Sequence, residues 1–442
     1  MRTRLYNARI LTMKDNYDIF IGEIWVKDRM IEKIISESSG SYVKESKQQD
    51  CNMNVFDQEI DCMGNLIMPG FKNCHAHGPM TFLRSYADDL PLHDWLHDKI
   101  FPAEAKLKEA DIDVLMKLAI LEYVRSGITT SFEMYFYPEQ IAKACEDMHF
   151  PVIISGTVFG NSSAQVKSAI DTLKNDYSAF HKKNEFVDYR LGFHSEYSCC
   201  YELLEAIGDL CVQLNEPVYM HNSETKKEVD ECIAKYGLTP IQLMNSLKMF
   251  EYGGGGHHLV YTTEDDWDIM KEKGLYAVTN PSSNYKLASG MAPLKSYIDK
   301  GIPVAIGTDG PASNNSLNMF KEMYLACCGS KLKYMDAKAV EPKDVLKMAT
   351  VNGSHLLGLM DADILDEGKW ADLIMVDLLK PNMQPLNNVM NNLVYSGSAD
   401  NVLMTMIHGD IVYANHQYFM DVDPIDIYKE ANCIIRRIEC EI

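Results

Sequence analysis

The stretch Leu66-Ile67-Met68-Pro69-Gly70-Phe71-Lys72-Asn73-Cys74-His75-Ala76-His77 joins an apolar run to two histidines. A short apolar run that ends in Pro-Gly predicts a buried strand, here over residues 66–71. On extended backbone, alternate residues point to the same side, so His75 and His77 can present both imidazoles to one point in space. Converging imidazoles are typical of a metal site, although two solvated loop histidines fit the same short pattern.

Composition favours a small-molecule partner. The 442-residue chain has a formal net charge of -21 and is 46% hydrophobic. Such acidity disfavours binding to nucleic acid and to anionic membranes. No run approaches the roughly 18 apolar residues of a membrane span, and residues 1–7 lack the apolar region of a signal peptide. The twelve cysteines include no C-x-x-C pair, which predicts free thiols in a reducing compartment such as the cytoplasm.

Between residues 66 and 365, apolar runs alternate with longer amphipathic stretches, which indicates repeated βα units. Eight strands are predicted, at residues 66–71, 128–132, 152–157, 190–193, 217–220, 259–261, 275–279 and 303–307. Eight strands with interposed helices predict a (β/α)8 barrel. The flanks, 1–65 and 366–442, are β-rich and are predicted to pair as one small domain. Residues 40–54 are predicted to be a surface loop, and Asp423-Pro424 to begin a terminal helix.

Candidate catalytic residues follow from the barrel, because active residues of such folds lie at the C-terminal ends of the strands. Predicted strand ends carry a histidine or an aspartate at five places: His75 with His77, His194, His221, the pair His257-His258, and Asp309. Histidines with one carboxylate around an open position predict a catalytic metal site rather than a structural one. A metal held there would lower the pKa of a bound water and make it a nucleophile.

A proton carrier is also predicted near this site. Glu224, three residues after His221, lies on the loop that leaves the same strand and is placed to move a proton between water and substrate. A solvated loop carboxylate is the alternative. Because adjacent residues on a strand point opposite ways, only one of His257 and His258 can face the site, and we favour His258. His194 is interpreted as a hydrogen-bonding partner of the substrate rather than as a ligand.

Several longer motifs resemble those of the amidohydrolase superfamily. They are Met68-Pro69-Gly70-Phe71-Lys72-Asn73-Cys74-His75-Ala76-His77, Pro79-Met80-Thr81-Phe82-Leu83-Arg84, Asn280-Pro281, Lys286-Leu287-Ala288-Ser289-Gly290 and Gly307-Thr308-Asp309-Gly310. Within that superfamily, the chain is most similar to the 5-methylthioadenosine/S-adenosylhomocysteine deaminase group of the chlorohydrolase-like branch. The resemblance implies a distorted (β/α)8 barrel, a small β-sandwich domain formed from both chain ends, and a homo-oligomer.

The resemblance also assigns roles to individual residues. It implies one Zn²⁺ per subunit, with iron as an alternative, bound by His75, His77, His221 and Asp309. His258 would polarise the attacking water and Glu224 would protonate the ring nitrogen, and Asp309 counts among the catalytic residues as well as the ligands. The implied reaction is hydrolytic deamination, in which metal-activated water attacks C6 of an adenine ring and ammonia leaves. The substrate contacts implied in addition to Glu224 are Trp95, Glu104, His194 and Ser313, with Glu104 at the ribose hydroxyls.

This chain departs from the family pattern in its substrate region. No arginine occurs between Arg125 and Arg190, although members that accept S-adenosylhomocysteine resemble one another in holding its carboxylate with arginines from this region. We therefore favour 5-methylthioadenosine, 5-deoxyadenosine or adenosine as substrate. Glu196 stands where the family usually has proline, and glycines at 253–256 replace an apolar strand entry.

Two other functions fit parts of the pattern. The same metal site would serve an aminohydrolase of another ring, such as guanine, an aminopyrimidine or a triazine. A non-catalytic protein that kept only the fold would be marked by lost ligands, and here all candidate ligands and Glu224 are present.

Overall fold

The computed structural model describes residues 1–14, 16–37, 55–90 and 92–442, so the surface loop predicted at 40–54 lies outside the described residues. The chain divides into two compact units. The first, here called the β-rich unit, comprises Met1–Lys72, Tyr123–Thr129 and Pro342–Met420. The second, the barrel unit, comprises Asn73–Glu122, Thr130–Glu341 and Asp421–Ile442. The C-terminal segment thus groups with the barrel unit, whereas the sequence predicted it as part of the flanking domain.

Seventeen strands form within the described residues. In chain order they are β1 (Arg2–Leu11), β2 (Ile19–Lys27), β3 (Met30–Ser36), β4 (Gln58–Asp61), β5 (Leu66–Pro69), β6 (Phe71–Ala76), β7 (Ile128–Glu133), β8 (Val152–Ser155), β9 (Val187–Gly192), β10 (Val218–Asn222), β11 (Gly254–His258), β12 (Tyr276–Thr279), β13 (Val304–Ile306), β14 (Leu373–Val376), β15 (Val402–Ile407), β16 (Asp410–Ala414) and β17 (Gln417–Tyr418).

Most α-helices of the described chain follow strands of the barrel unit, and the three within residues 342–395 belong to the β-rich unit. They are α1 (Leu92–Trp95), α2 (Phe101–Glu104), α3 (Glu109–Arg125), α4 (Pro138–Asp147), α5 (Ser163–Phe180), α6 (Tyr201–Leu214), α7 (Lys226–Tyr236), α8 (Pro240–Ser246), α9 (Glu264–Glu272), α10 (Pro281–Lys286), α11 (Leu294–Lys300), α12 (Pro311–Asn314), α13 (Met319–Tyr334), α14 (Pro342–Ala349), α15 (Val351–Leu357), α16 (Val389–Tyr395) and α17 (Pro424–Glu441). Of the helices in these described ranges, none is long and apolar enough to cross a membrane.

Two sheets organise the described strands. Strands β6 to β13 form an eight-stranded sheet in sequence order. Both chain ends contribute to a nine-stranded mixed sheet in the order β17-β16-β15-β14-β5-β1-β2-β3, with β4 beside β1. The fold class predicted from the sequence, a distorted (β/α)8 barrel with a smaller β domain built from both chain ends, is confirmed.

The first and last strands of the eight-stranded sheet are joined by hydrogen bonds near their C-terminal ends. Thr308 N–H donates to Asn73 Oδ1 over 2.8 Å, and Asn73 Nδ2 donates to Thr308 Oγ1 over 2.7 Å. Asp309 N–H then donates to the carbonyl of His75 over 2.9 Å. These bonds bring the ends of β6 and β13 together, and with them two predicted metal ligands.

The predicted first strand is wrong in its bounds. Residues 66–69 form β5, which pairs with β1 and β14 in the mixed sheet, and the barrel strand is β6, after Gly70. Pro69 ends β5, and Gly70 alone separates two consecutive buried strands here. Both runs are fully buried, so hydrophobicity alone could not tell them apart.

The predicted sixth strand is also wrong, because the glycine run itself is the strand β11 and residues 259–261 follow it. Gly254 has φ +117°, and a Cβ there would lie 2.2 Å from the carbonyl oxygen of Val218. No side chain fits at that position, so an apolar strand pattern cannot appear. His257 and His258 therefore lie at the C-terminal end of a strand rather than at its start.

Candidate active site

Four strand ends of the barrel unit bring histidines and one aspartate together. His75 lies on β6 and His77 directly follows it, while His221 lies on β10. His257 and His258 end β11, where they pair in register with His221 and Asn222. Asp309 follows β13 and is hydrogen-bonded to the backbone of His75. This arrangement is the one expected for a barrel active site.

The imidazoles of His77 and His221 are oriented by backbone carbonyls. His77 Nδ1–H donates to the carbonyl of Met134, and His221 Nδ1–H donates to the carbonyl of His194 over 2.8 Å. In the neutral tautomer each ring therefore keeps an unprotonated Nε2. The two Nε2 atoms lie 3.3 Å apart, and His77 Nε2 lies 3.2 Å from Asp309 Oδ1. Lone pairs that lie so close together repel one another unless a cation binds between them.

His75 completes the donor set. Its ring is fully buried, neither ring nitrogen has a hydrogen-bond partner within the described chain, and Nε2 lies 3.5 Å from Asp309 Oδ1. Two groups of potential ligand atoms within 4.8 Å of one another share this residue: His75, His77 and His221, and His75, His258 and Asp309. Imidazole nitrogens with a carboxylate oxygen are donors that both zinc and iron accept. The residues fit a metal ion.

Burial and mutual contacts set the charge of these groups. Burial lowers the pKa of His75 to about 3 against the opposing effect of Asp309, and burial with the neighbouring histidines lowers the pKa of His221 well below its usual range. Burial alone would raise the pKa of Asp309, but the nearby rings of His75 and His77 outweigh it and hold that pKa well below the usual value. Burial would lower the pKa of His77 as well, but its approach to Asp309 outweighs burial and raises that pKa. Neutral imidazoles and an ionised carboxylate are the forms that bind a metal, so binding at His77 would release a proton.

Glu224 faces this cluster from the loop between β10 and α7. Glu224 is 6% exposed, and its carboxylate accepts a hydrogen bond from Ser289 Oγ over 3.0 Å and lies 3.8 Å from His258 Nε2. Burial raises the pKa of Glu224, although His258 partly opposes the shift. A buried carboxyl group with a raised pKa next to the cluster suits proton transfer.

His258 and His257 occupy different environments. His258 Nδ1–H donates to Asn284 Oδ1 over 2.7 Å, which leaves Nε2 toward Glu224. The ring of His257 is buried and stacks on His75, with centroids 3.8 Å apart. His258 and Leu259 both have left-handed backbone, φ 71° and 46°, so simple strand alternation ends there. Strained non-glycine residues of this kind cluster at functional sites.

The loop that carries Glu224 is held by a buried acid that the sequence reasoning missed. Glu228 Oε1 accepts the N–H of Ser223 over 2.5 Å, and its Oε2 accepts those of Glu224 and Thr225 over 2.8 and 3.3 Å. The N–H of Glu228 in turn donates to the side-chain oxygen of Thr225, which completes a capping box at the start of α7. The spacing Thr-x-x-Glu is a sequence signal for this motif and could have identified Glu228.

Glu228→Gln is expected to lower kcat about 10-fold, because an amide offers one acceptor oxygen to three N–H groups and the unpaired ones stay buried. Steady-state kinetics and thermal unfolding would measure the effect. Glu231→Gln is the matched control, since Glu231 lies on the same helix with its side chain 63% exposed. Equal kcat values for the two variants would contradict a positioning role for Glu228.

The predicted substrate residues surround the cluster at different distances. Ser313 Oγ donates to Asp309 Oδ2 over 3.1 Å. His194 Nδ1 lies 3.0 Å from both Ser195 Oγ and Ser198 Oγ, and burial lowers its pKa to about 4. Trp95 donates instead to the carbonyl of Ala87 over 2.9 Å. His194 and Ser313 thus contact residues of the cluster, whereas Trp95 is tied to the loop before α1. Their roles toward substrate stay predictions.

Glu104 connects the cluster to a groove. The hydroxyl of Tyr135 donates to Glu104 Oε1 over 2.6 Å, and the Tyr135 ring lies 6.4 Å from that of His77, centroid to centroid. Burial raises the pKa of Glu104 to about 7, against the effect of the Tyr135 hydrogen bond. Both residues line a groove of about 450 Å³ that continues toward β8 and α5. A ligand bound at the cluster can extend into this groove.

Comparisons with known proteins agree with this geometry. The sequence pattern of the Amidohydrolase family matches residues 66–412. A protein from Thermoanaerobacter pseudethanolicus named 5-methylthioadenosine/S-adenosylhomocysteine deaminase is 37% identical over 388 residues, which cover 86% of this chain and 90% of that protein. A protein of the same name from Caldanaerobacter subterraneus subsp. tengcongensis is 36% identical over 442 residues and is matched over 99% of both chains.

A solved structure is similar over the same extent. The zinc-bound adenosine deaminase of Xanthomonas campestris superposes with a TM-score of 0.88 at 27% sequence identity, covering 99% of this chain and 98% of that one.

Proposed function

The chain belongs to the amidohydrolase family, and from this premise we propose that it is a metal-dependent deaminase of an adenosine derivative. The family resemblance predicted from the sequence is confirmed. So is the predicted enzyme class, a hydrolase of carbon–nitrogen bonds in cyclic amidines. The observation that carries the proposal is the convergence of His77 Nε2, His221 Nε2 and Asp309 Oδ1 in front of buried Glu224.

His75, His77, His221 and Asp309 would hold the metal, which we propose to be one Zn²⁺ per subunit. When bound, it would lower the pKa of water toward neutrality and so supply a nucleophile. Carbonyl hydrogen bonds already orient the rings of His77 and His221, and a hydrogen bond from Ser313 restrains the Asp309 carboxylate. Little reorganisation of these side chains is therefore needed on binding.

Glu224 and His258 carry out the proton transfers. His258 Nε2, left unprotonated by the Nδ1–H bond to Asn284, accepts a hydrogen bond from the attacking water and orients it toward C6 of the adenine ring. Glu224 takes a proton from that water and delivers it to the adjacent ring nitrogen, which makes C6 more electrophilic. The remaining hydroxyl proton at C6 passes through His258 Nε2 to the amino group, which leaves as ammonia, and C6 keeps a carbonyl oxygen. A non-ligand glutamate has this role in other zinc deaminases.

The groove and the position of Glu104 beside it guide our choice among the adenosine derivatives. Glu104, at the mouth of the groove, would accept hydrogen bonds from ribose hydroxyls. Relatives are named for both 5-methylthioadenosine and S-adenosylhomocysteine, but this chain has no arginine between Arg125 and Arg190 to pair with a carboxylate. Adenosine, 5-methylthioadenosine and 5-deoxyadenosine are the proposed substrates. A homo-oligomeric state and a cytoplasmic location stay predictions from the sequence.

Ammonia release by the zinc-loaded protein tests the proposal. Against a panel of adenosine, 5-methylthioadenosine, 5-deoxyadenosine, S-adenosylhomocysteine, guanine and cytosine, we expect turnover of the first three. S-Adenosylhomocysteine is expected to react at least about 10-fold more slowly in kcat/KM, because an unpaired carboxylate near the groove costs binding energy. Turnover of guanine or cytosine without any adenine nucleoside would overturn the proposal.

A further inference from the structure

The groove beyond Glu104 has aromatic walls. Tyr137 and Phe159 both line it and are 42% and 54% exposed, although large aromatic side chains usually bury most of their surface. Val158 also lines it. Such walls suit an alkyl or thioether chain, and aromatic faces also attract a cation that comes to lie over them.

The charged groups of the groove are all acidic. Asp176 of α5 lines it, and neither lysine nor arginine is among the described lining residues. In the part of the chain that the structure describes, no hydrogen bond or ion pair engages the Asp176 carboxylate. Burial, followed by the charge of Glu139, raises the pKa of Asp176 to about 6. Among the described residues, no cation pairs with this carboxylate.

A second polar group lies unpartnered at the wall. The hydroxyl of Tyr189 is fully buried and has no hydrogen-bond partner within the described residues. It lies behind Gly156, a lining residue, where a Cβ would come within 2.9 Å of the hydroxyl oxygen. Burial, followed by the charge of Asp176, raises the pKa of Tyr189, so this hydroxyl lies behind the lining and near Asp176. Buried polar groups without a partner are rare and indicate an absent ligand or water.

We propose that this groove binds the 5′ substituent of the substrate and favours one that ends in an ammonium group. The inference rests on the proposed deamination of an adenosine derivative. The groove begins at Glu104 and Tyr135, one aromatic ring away from His77, so a chain attached to the 5′ carbon of a ribose held by Glu104 enters it. An ammonium group gains the Asp176 carboxylate and the aromatic faces, whereas a carboxylate meets only like charge.

Three 5′-thioether derivatives of adenosine test the inference. Each carries the same three-methylene spacer, ending in an ammonium, a methyl or a carboxylate group. For the zinc-loaded wild-type protein, we expect kcat/KM for the ammonium compound to exceed that for the methyl compound about 10-fold, and that for the carboxylate compound about 100-fold. In Asp176→Asn, the ammonium-to-methyl ratio is expected to fall at least about 3-fold, since the attraction of the carboxylate is removed and only that of the aromatic faces remains.

Asp171→Asn is the matched control, because Asp171 lies on the same helix and is exposed; it should keep the wild-type ratio. The ratio compares two substrates of one preparation, so partial misfolding of a variant does not change it. Turnover of adenosine and the methyl compound without a preference for ammonium over carboxylate would overturn the inference alone. Failure to deaminate adenosine and all three derivatives would overturn the proposed function, and the inference with it.

Discussion

Replacement of Glu224 by glutamine is expected to lower kcat for deamination at least about 100-fold, the lower range for a positioned acid and base. Glutamine has nearly the same shape and can still accept the hydrogen bond from Ser289. It cannot accept a proton from water or return one to the ring. The change therefore removes the chemistry of the side chain while preserving its packing, and ammonia release under saturating substrate measures the loss.

Two controls separate this effect from structural damage. Metal content of Glu224→Gln, measured by elemental analysis, should match that of the wild type, because Glu224 is not one of the proposed ligands. Glu231→Gln makes the same charge change at an exposed position of α7 and should keep wild-type kcat. A Glu224→Gln variant with near-wild-type kcat would remove Glu224 from the proton transfers.

The fold was predictable from the sequence because a barrel repeats one pattern many times. Six of the eight predicted barrel strands overlap the observed ones, and the two failures share a physical cause. In β5 and β6, two buried strands follow each other without a polar residue between them. In β11, close approach of Val218 to Gly254 excludes side chains. In neither case does hydrophobic periodicity show where the strand begins and ends.

The candidate metal ligands were predictable because strand ends and residue types are both visible in a sequence. The residues that hydrogen-bond to Glu224 and His258 were not predictable, since they come from distant segments of the sequence. Ser289 is 65 residues from Glu224, and Asn284 is 26 from His258. Only tertiary packing brings them together. The left-handed backbone at His258 likewise depends on the end of β11, so strand alternation was an incomplete basis for choosing between His257 and His258.

Removal of the metal is expected to have the largest effect of all. After treatment with a chelator, kcat should fall at least about 1,000-fold, because water with a pKa near 15.7 replaces water with a pKa near 7. Stability should fall as well, since a ligand present at about 1,000 times its Kd contributes roughly 4 kcal/mol to the free energy of unfolding. Without the ion, the Nε2 atoms of His77 and His221 face each other at 3.3 Å with no charge between them.

Reconstitution distinguishes the metals and tests the ligands. Zinc is expected to restore both kcat and the melting temperature, and parallel reconstitution with Fe²⁺ shows whether iron can replace it. His221→Asn should lose metal and activity together, whereas His149→Asn should keep both, because His149 is exposed and its left-handed backbone, φ 51°, suits asparagine. Full turnover in a chelated preparation shown to be metal-free would contradict the proposed mechanism. The converging lone pairs of His77 and His221 would then need a shared proton instead of a metal ion.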